Sequence, residues 1–297
     1  MTKNILPIIL VMLLWSSCYP LITIGIAYSP HLTFAAMRAS IAGAALLIVA
    51  MALGHSMPKG KPIWLKLSAI GLGATTFGFF GMFHAAEYVS PGVATVISNT
   101  QPLMAAVLAH IFLREYLSPP ARWGLIIGFL GIVVIAIPEL SAASEGNGYL
   151  LGVGYIMLAA FGVTVSSVLI KGIAGTVSGL SAMGWQLIIG SVPLWLMALS
   201  WEDQTQVQWT SSFLFSLLGL SLFTTAFAYW LWFKVLESTP LTRANVFTFL
   251  VPFFGLSMGV IFFGEAITVW TIAGASLTLF GIYKVNGSAQ LKGTQPL

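Results

Sequence analysis

The second half of this chain repeats the first at a constant offset of 150 residues. Between 83 and 132, and again between 233 and 282, the pairs Phe83/Phe233, Glu87/Glu237, Ala94/Ala244, Val96/Val246, Pro102/Pro252, Ile111/Ile261, Phe112/Phe262, Glu115/Glu265, Gly124/Gly274, Gly131/Gly281 and Ile132/Ile282 are identical without a gap. Only 7% of the 297 residues are charged and 58% are hydrophobic, where a soluble domain carries about 25% charged residues. A water-soluble fold is excluded. If each repeat holds an odd number of membrane helices, the halves lie upside down to one another. That is the build of secondary transporters, which hold substrate near the midplane where the repeats meet.

A membrane helix needs roughly 17 to 25 mostly apolar residues. Polar, Pro and Gly interruptions divide the chain into ten such stretches, at 5–27, 32–53, 64–86, 92–113, 121–138, 149–171, 179–200, 211–236, 242–263 and 268–285. The first stretch follows Lys3 and lacks a small-x-small cleavage site, so it reads as a retained span rather than a removed leader. Residues 1–140 and 149–288 then form the two five-helix repeats, with 289–297 as a short cytoplasmic tail.

Orientation follows from Lys and Arg near helix ends. With the N-terminus inside, Lys3, Lys59, Lys61, Lys66, Arg114, Arg122, Lys171, Lys234, Arg243, Lys284 and Lys292 all fall on or near the inner side, and Glu139, Glu145, Glu202 and Asp203 fall outside. The expectation is an all-α membrane protein of ten transmembrane helices in two inverted repeats, N-in and C-in. Glu87 and Glu265 then lie near outer helix ends. Repeat and charge bias agree, because five spans per half is odd.

Cys18 stands alone, which leaves no disulfide and no thiolate metal cage. The four histidines match no metal-ligand spacing, and no GxxxxGK[ST] loop occurs. No metal, cofactor, catalytic residue or nucleic-acid partner is expected. The partners implied are a small-molecule substrate and the lipid bilayer, and the chain is expected to be monomeric.

Several polar groups fall inside the spans. Pro102 and Pro252 each remove a backbone donor within an apolar stretch, freeing the carbonyls of Ser98 and Thr248, and Pro20 does the same within the first span. These three are candidate hinges. Asn99 and Gln101 are polar at mid-membrane depth, whereas the mates of Ser98 to Gln101 run Thr248-Phe249-Leu250-Val251. They either line a cavity or bridge neighbouring helices. Arg38 lies about six residues inside the second span, roughly 9 Å deep. There it either snorkels outward or meets a substrate carboxylate. Gln186, preceded by Trp185, stands at comparable depth in the seventh span. The third span closes on Phe79, Phe80, Phe83 and His84, with Glu87 and Tyr88 beyond, and its mate carries Tyr229, Trp230 and Phe233. His84 and Glu87, one turn apart, are open to interfacial solvation or proton sensing. A substrate cavity would take apolar walls from Trp15, Tyr19, Trp185 and Tyr229 and hydrogen bonds from Asn99, Gln101 and Gln186. Arg38, Phe79, His84, Tyr88, Trp230 and Thr248 complete the candidate set.

Each repeat carries a Pro in its fourth span followed by Glu (Pro102 to Glu115, Pro252 to Glu265). Phe112-Leu113-Arg114-Glu115 and Phe262-Phe263-Gly264-Glu265 are each followed by paired glycines, Gly124/Gly131 and Gly274/Gly281. In these features the chain resembles the EamA family of the drug/metabolite transporter superfamily over practically its whole length. The resemblance implies export of amino acids and other small metabolites across a bacterial inner membrane by alternating access. Small multidrug relatives use a first-helix glutamate, and this first helix has no carboxylate. Uptake or exchange of sugars, nucleosides or drugs is the alternative, and an integral membrane enzyme is a remoter one.

Overall fold

The computed structural model describes residues 5–85, 88, 94, 97–142, 148–263 and 267–289. Apolar stretches in lipid must close their backbone hydrogen bonds internally, and they do so here as helices. We label these α1 (Ile5–Ile26), α2 (His31–Ala52), α3 (Lys61–Ala85), α4 (Gln101–Leu113), α5 (Pro119–Ala142), α6 (Tyr149–Ile173), α7 (Gly179–Trp201), α8 (Ser211–Ser238), α9 (241–263) and α10 (Val269–Ala289). Among the described residues seven are long and apolar enough to cross a membrane. Nine of the ten bounds expected from sequence agree with the helices to within about four residues; the fourth, expected at 92–113, begins as α4 only at Gln101. The tail beyond 289 lies outside the described residues.

Proline explains where the helices break. α1 is interrupted at Ser17, between Ile5–Ser16 and Cys18–Ile26, because Pro20 has no N–H for the Ser16 carbonyl. Pro102 and Pro252, expected within continuous spans, instead stand in the first turn of a helix. α4 starts at Gln101 after a turn in which the Thr100 amide donates to the Ile97 carbonyl at 3.0 Å. α9 begins as a short α-turn, passes through a 3₁₀ segment at Val246–Phe249, and becomes α-helical from Leu250. Pro is tolerated in a first turn, where its missing donor would be unused. The backbone therefore reorganises ahead of each proline rather than kinking at it.

α3 and α8 widen into π-helix at repeat-related places, Gly71–Phe77 and Gly219–Phe227. Threonine hydroxyls help satisfy the loosened turns: Thr224 Oγ1 and Thr225 Oγ1 both donate to the Leu220 carbonyl, at 3.0 and 2.7 Å. Thr75 and Thr225, at the same offset of 150, occupy equivalent turns.

The halves interlock reciprocally. α2 packs on α7, and α5 on α10; α3 rests on α6 and α7, while α8 rests on α1 and α2. The α5–α10 seam is antiparallel and self-matching. A Cβ on Gly124 would meet the Gly281 carbonyl oxygen at 2.8 Å, and one on Gly131 would meet the Gly274 carbonyl oxygen at 2.6 Å. Gly274 and Gly281 are the repeat mates of Gly124 and Gly131. The mates of one contacting pair thus form the other contacting pair, which defines a two-fold relation about an axis across the helices. Only residues without a side chain allow backbones this close.

Candidate functional site

Where the two π-helices face the opposite half, the interior becomes polar. Arg38, on α2, is 5% exposed and does not snorkel outward. Its Nε donates to Thr225 Oγ1 of α8 at 2.7 Å, and its Nη2 lies 3.4 Å from Cys18 Sγ of α1. The guanidinium sits over the Phe79 ring of α3, 4.5 Å from the centroid. These neighbours are neutral, and among the described residues no carboxylate pairs with Arg38. An arginine at the centre of a membrane helix costs about 2.5 to 3.5 kcal/mol. The aromatic face and the hydroxyl offset part of that cost.

The mirror contact involves Gln186 of α7, which is fully buried. It accepts a hydrogen bond from Thr75 Oγ1 of α3 at 3.0 Å, while its Nε2 has no partner among the described residues. Thr75 and Phe79 are one turn apart on α3, so the Gln186 amide and the Arg38 guanidinium both border the same helix face. Trp15 closes this region from α1, with its ring 5.3 Å from Trp232 and 6.4 Å from Tyr229.

Both ends of the seam are tied by glutamates. Glu202, following α7, accepts from the amides of Leu32 and Thr33 at 2.8 and 2.7 Å, and from Thr33 Oγ1 at 2.8 Å. Glu115, following α4, accepts from the amides of Leu241 and Thr242 at 2.8 and 3.0 Å, and from Thr242 Oγ1 at 2.9 Å. Each carboxylate caps the positive N-terminus of a helix from the other half. Arg114 turns the chain toward that cap with a left-handed φ of 55°. In the repeat the matching position is Gly264. Beside the Glu202 cap, His31 Nδ1 stands 3.6 Å from Glu202, and the His31 and His84 rings lie 5.1 Å apart. His84 is further enclosed by Phe80, Tyr155 and Trp201. Following Glu202 in the chain, the Asp203 carboxyl is held below its ordinary value by hydrogen bonds from the Thr205 hydroxyl and then from the Thr205 amide.

The structure therefore gathers Trp15, Arg38, Phe79, Gln186 and Tyr229 at the seam and disperses the other candidates. His84 and Tyr88 belong to the aromatic cluster at the Glu202 end, Tyr88 lying against Tyr155. Trp185 points away from Gln186, stacking edge-on with Trp64 at 5.1 Å, with its Nε1 3.3 Å from Met57 Sδ. Trp230 packs on Phe227, and Thr248 Oγ1 donates to the Asn245 carbonyl at 2.8 Å. Asn99 is buried, Gln101 half-buried. The Tyr19 side chain and Glu87 lie outside the described residues. Thr75 and Thr225 were missed as site residues, although their shared offset of 150 is visible in the sequence.

Two equivalent helical halves in a bilayer, joined across a buried polar seam, are the build of a membrane transporter. A model of the EamA-like transporter family matches residues 2–137 and again 150–287, and the chain belongs to that family. It is 29% identical over 291 residues to an uncharacterized transporter, YvbV, of Bacillus subtilis, covering 96% of this chain and 92% of that one. It is 27% identical over 288 residues to a probable amino-acid metabolite efflux pump of Salmonella typhimurium, covering 93% and 92%. One solved crystal structure superposes with a TM-score of 0.85 at 19% identity, covering 99% of this chain and all of the other, a likeness of fold.

Proposed function

We propose that the chain is a secondary transporter that exports amino acids or similar small metabolites across the bacterial inner membrane by alternating access. In this reading it has ten spans with both termini in the cytoplasm. The observation that carries the proposal is the buried seam in which Arg38 meets Thr225 and Gln186 meets Thr75 across the halves. Polar groups of this kind inside membrane helices mark solute pathways. The glutamate caps at opposite ends supply two separable closures, as alternating access requires. The name of the Salmonella relative supports the amino-acid class, and the placement of Lys and Arg supports the orientation.

Counterflow in liposomes tests the proposal. Vesicles preloaded with an unlabelled amino acid are expected to accumulate the labelled one through the purified protein. Exchange of sugars or nucleosides, with every amino acid inert, would replace amino-acid export with the alternative reading.

A further inference from the structure

We propose that Arg38 is the charge-recognition group of the transport site and that its solute is a carboxylate anion that needs no α-ammonium group. The inference rests on the reading that this chain is a transporter, and it narrows the substrate class of the same seam. Arg38 has five N–H donors, and among the described residues only two neutral side-chain acceptors engage them, Thr225 Oγ1 and Cys18 Sγ. One turn along the same face of α3, the buried Gln186 amide nitrogen is a second donor with no partner among the described residues, while its oxygen accepts from Thr75. The unsatisfied groups are thus a cation and an amide N–H.

Such a pair calls for acceptors. A carboxylate answers the guanidinium, with a fork geometry suited to two parallel hydrogen bonds. A hydroxyl or keto oxygen on the adjacent carbon answers the amide. An ammonium at that carbon would face a donor. The described acidic side chains, Glu115, Glu202, Asp203 and Glu237, all stand at or beyond helix ends. The nearest along a helix is Glu202, which caps α2 at Leu32 and Thr33, five to six residues or roughly 8 Å of rise before Arg38, and its two oxygens are spent on that cap. Among the described residues the seam therefore holds one positive charge and no carboxylate left open for a solute cation. 2-Hydroxy and 2-oxo acids fit it better than zwitterions.

Binding to the purified full-length protein tests this, using L-phenyllactate, L-phenylalanine and L-phenylalaninamide, and the smaller series L-lactate, L-alanine and L-alaninamide. Calorimetric titration should find the hydroxy acid bound at least as tightly as the amino acid in one series. The amide should bind about tenfold more weakly or worse, the loss expected of a charge-assisted pair. Arg38→Gln should erase that order without lowering the melting temperature, since an uncompensated buried charge is removed, and Arg38→Lys should restore part of it. An amide that binds as well as its acid overturns the proposal. So does an amino acid that binds where its hydroxy acid does not, an Arg38→Gln protein that keeps the preference, or failure of both series. If Arg38→Gln does not fold, the order in the unaltered protein decides alone. Hydroxy acids that bind while amino acids neither bind nor exchange would remove the amino-acid reading and leave this one standing.

Discussion

Glu115 holds the first turn of α9 through Thr242, whose amide and hydroxyl both donate to the same carboxylate oxygen, at 3.0 and 2.9 Å. The two residues belong to different repeats, so one side chain ties the halves together at one end of the seam. Replacing it with Ala leaves the Leu241 and Thr242 amides without their acceptor. Glu115→Ala is expected to destabilise the protein by about 1 to 2 kcal/mol, the usual worth of a helix cap, read as a fall in melting temperature. An unchanged melting temperature would mean that solvent replaces the cap.

Arg114, just before that glutamate, adopts a left-handed conformation that glycine takes more readily. Arg114→Gly should therefore stabilise by roughly 1 kcal/mol. Its repeat mate is already glycine. A lower melting temperature would show that the arginine side chain contributes more than its backbone costs.

Gly71 packs against α7 so closely that an added Cβ would stand 2.5 Å from the Gln186 carbonyl oxygen and 3.0 Å from the Gly190 nitrogen. Both obstacles are backbone. Gly71→Ala should cost about 1 to 3 kcal/mol, as overpacking does, and should disturb transport by shifting Gln186. Full activity and stability in this variant would contradict the packing.

Gln101 begins α4 and makes no side-chain hydrogen bond among the described residues. Gln101→Ala should leave the melting temperature nearly unchanged. If the amide contacts solute, transport should fall roughly 2- to 13-fold, the equivalent of one hydrogen bond of about 0.5 to 1.5 kcal/mol. Normal transport would take Gln101 out of the pathway.

The Asp203 carboxyl, lowered by its bonds to Thr205, favours the turn at Gln204–Gln206 above its unfolded pKa. That contribution is lost as pH falls through the lowered folded value. The Thr205 amide signal in NMR should therefore titrate on the acid side. Asp203→Asn should abolish that titration, and persistence of it would assign the effect to another group.

The repeat and the apolar stretches were legible because both are periodic in the chain itself. Pro102 and Pro252 also pointed to real breaks, but not to their form. Whether a proline kinks a helix or starts one depends on the turns before it, here the Ile97–Thr100 turn and the Val246–Phe249 3₁₀ segment. The inward course of Arg38 was undecidable from depth alone, since it depends on Thr225, which is 187 residues away. Nor could sequence pair Glu202 with Thr33, 169 residues apart. Trp185 and Gln186 are neighbours in the chain, but a helix turns about 100° per residue and sends them to different surroundings.

Because Gly124 meets Gly281 while Gly131 meets Gly274, each half ends in a helix whose surface fits a copy of itself. An ancestral half inserted in both directions would already have possessed the joint needed to dimerise, and fusion of two such genes would have preserved it. Covalent linkage then frees the copies to diverge everywhere except along that joint. The offset of 150 places Ile188 opposite Arg38 and Ala36 opposite Gln186. A homodimer would have had to carry a charge on both sides of its axis or on neither; the fused chain carries one.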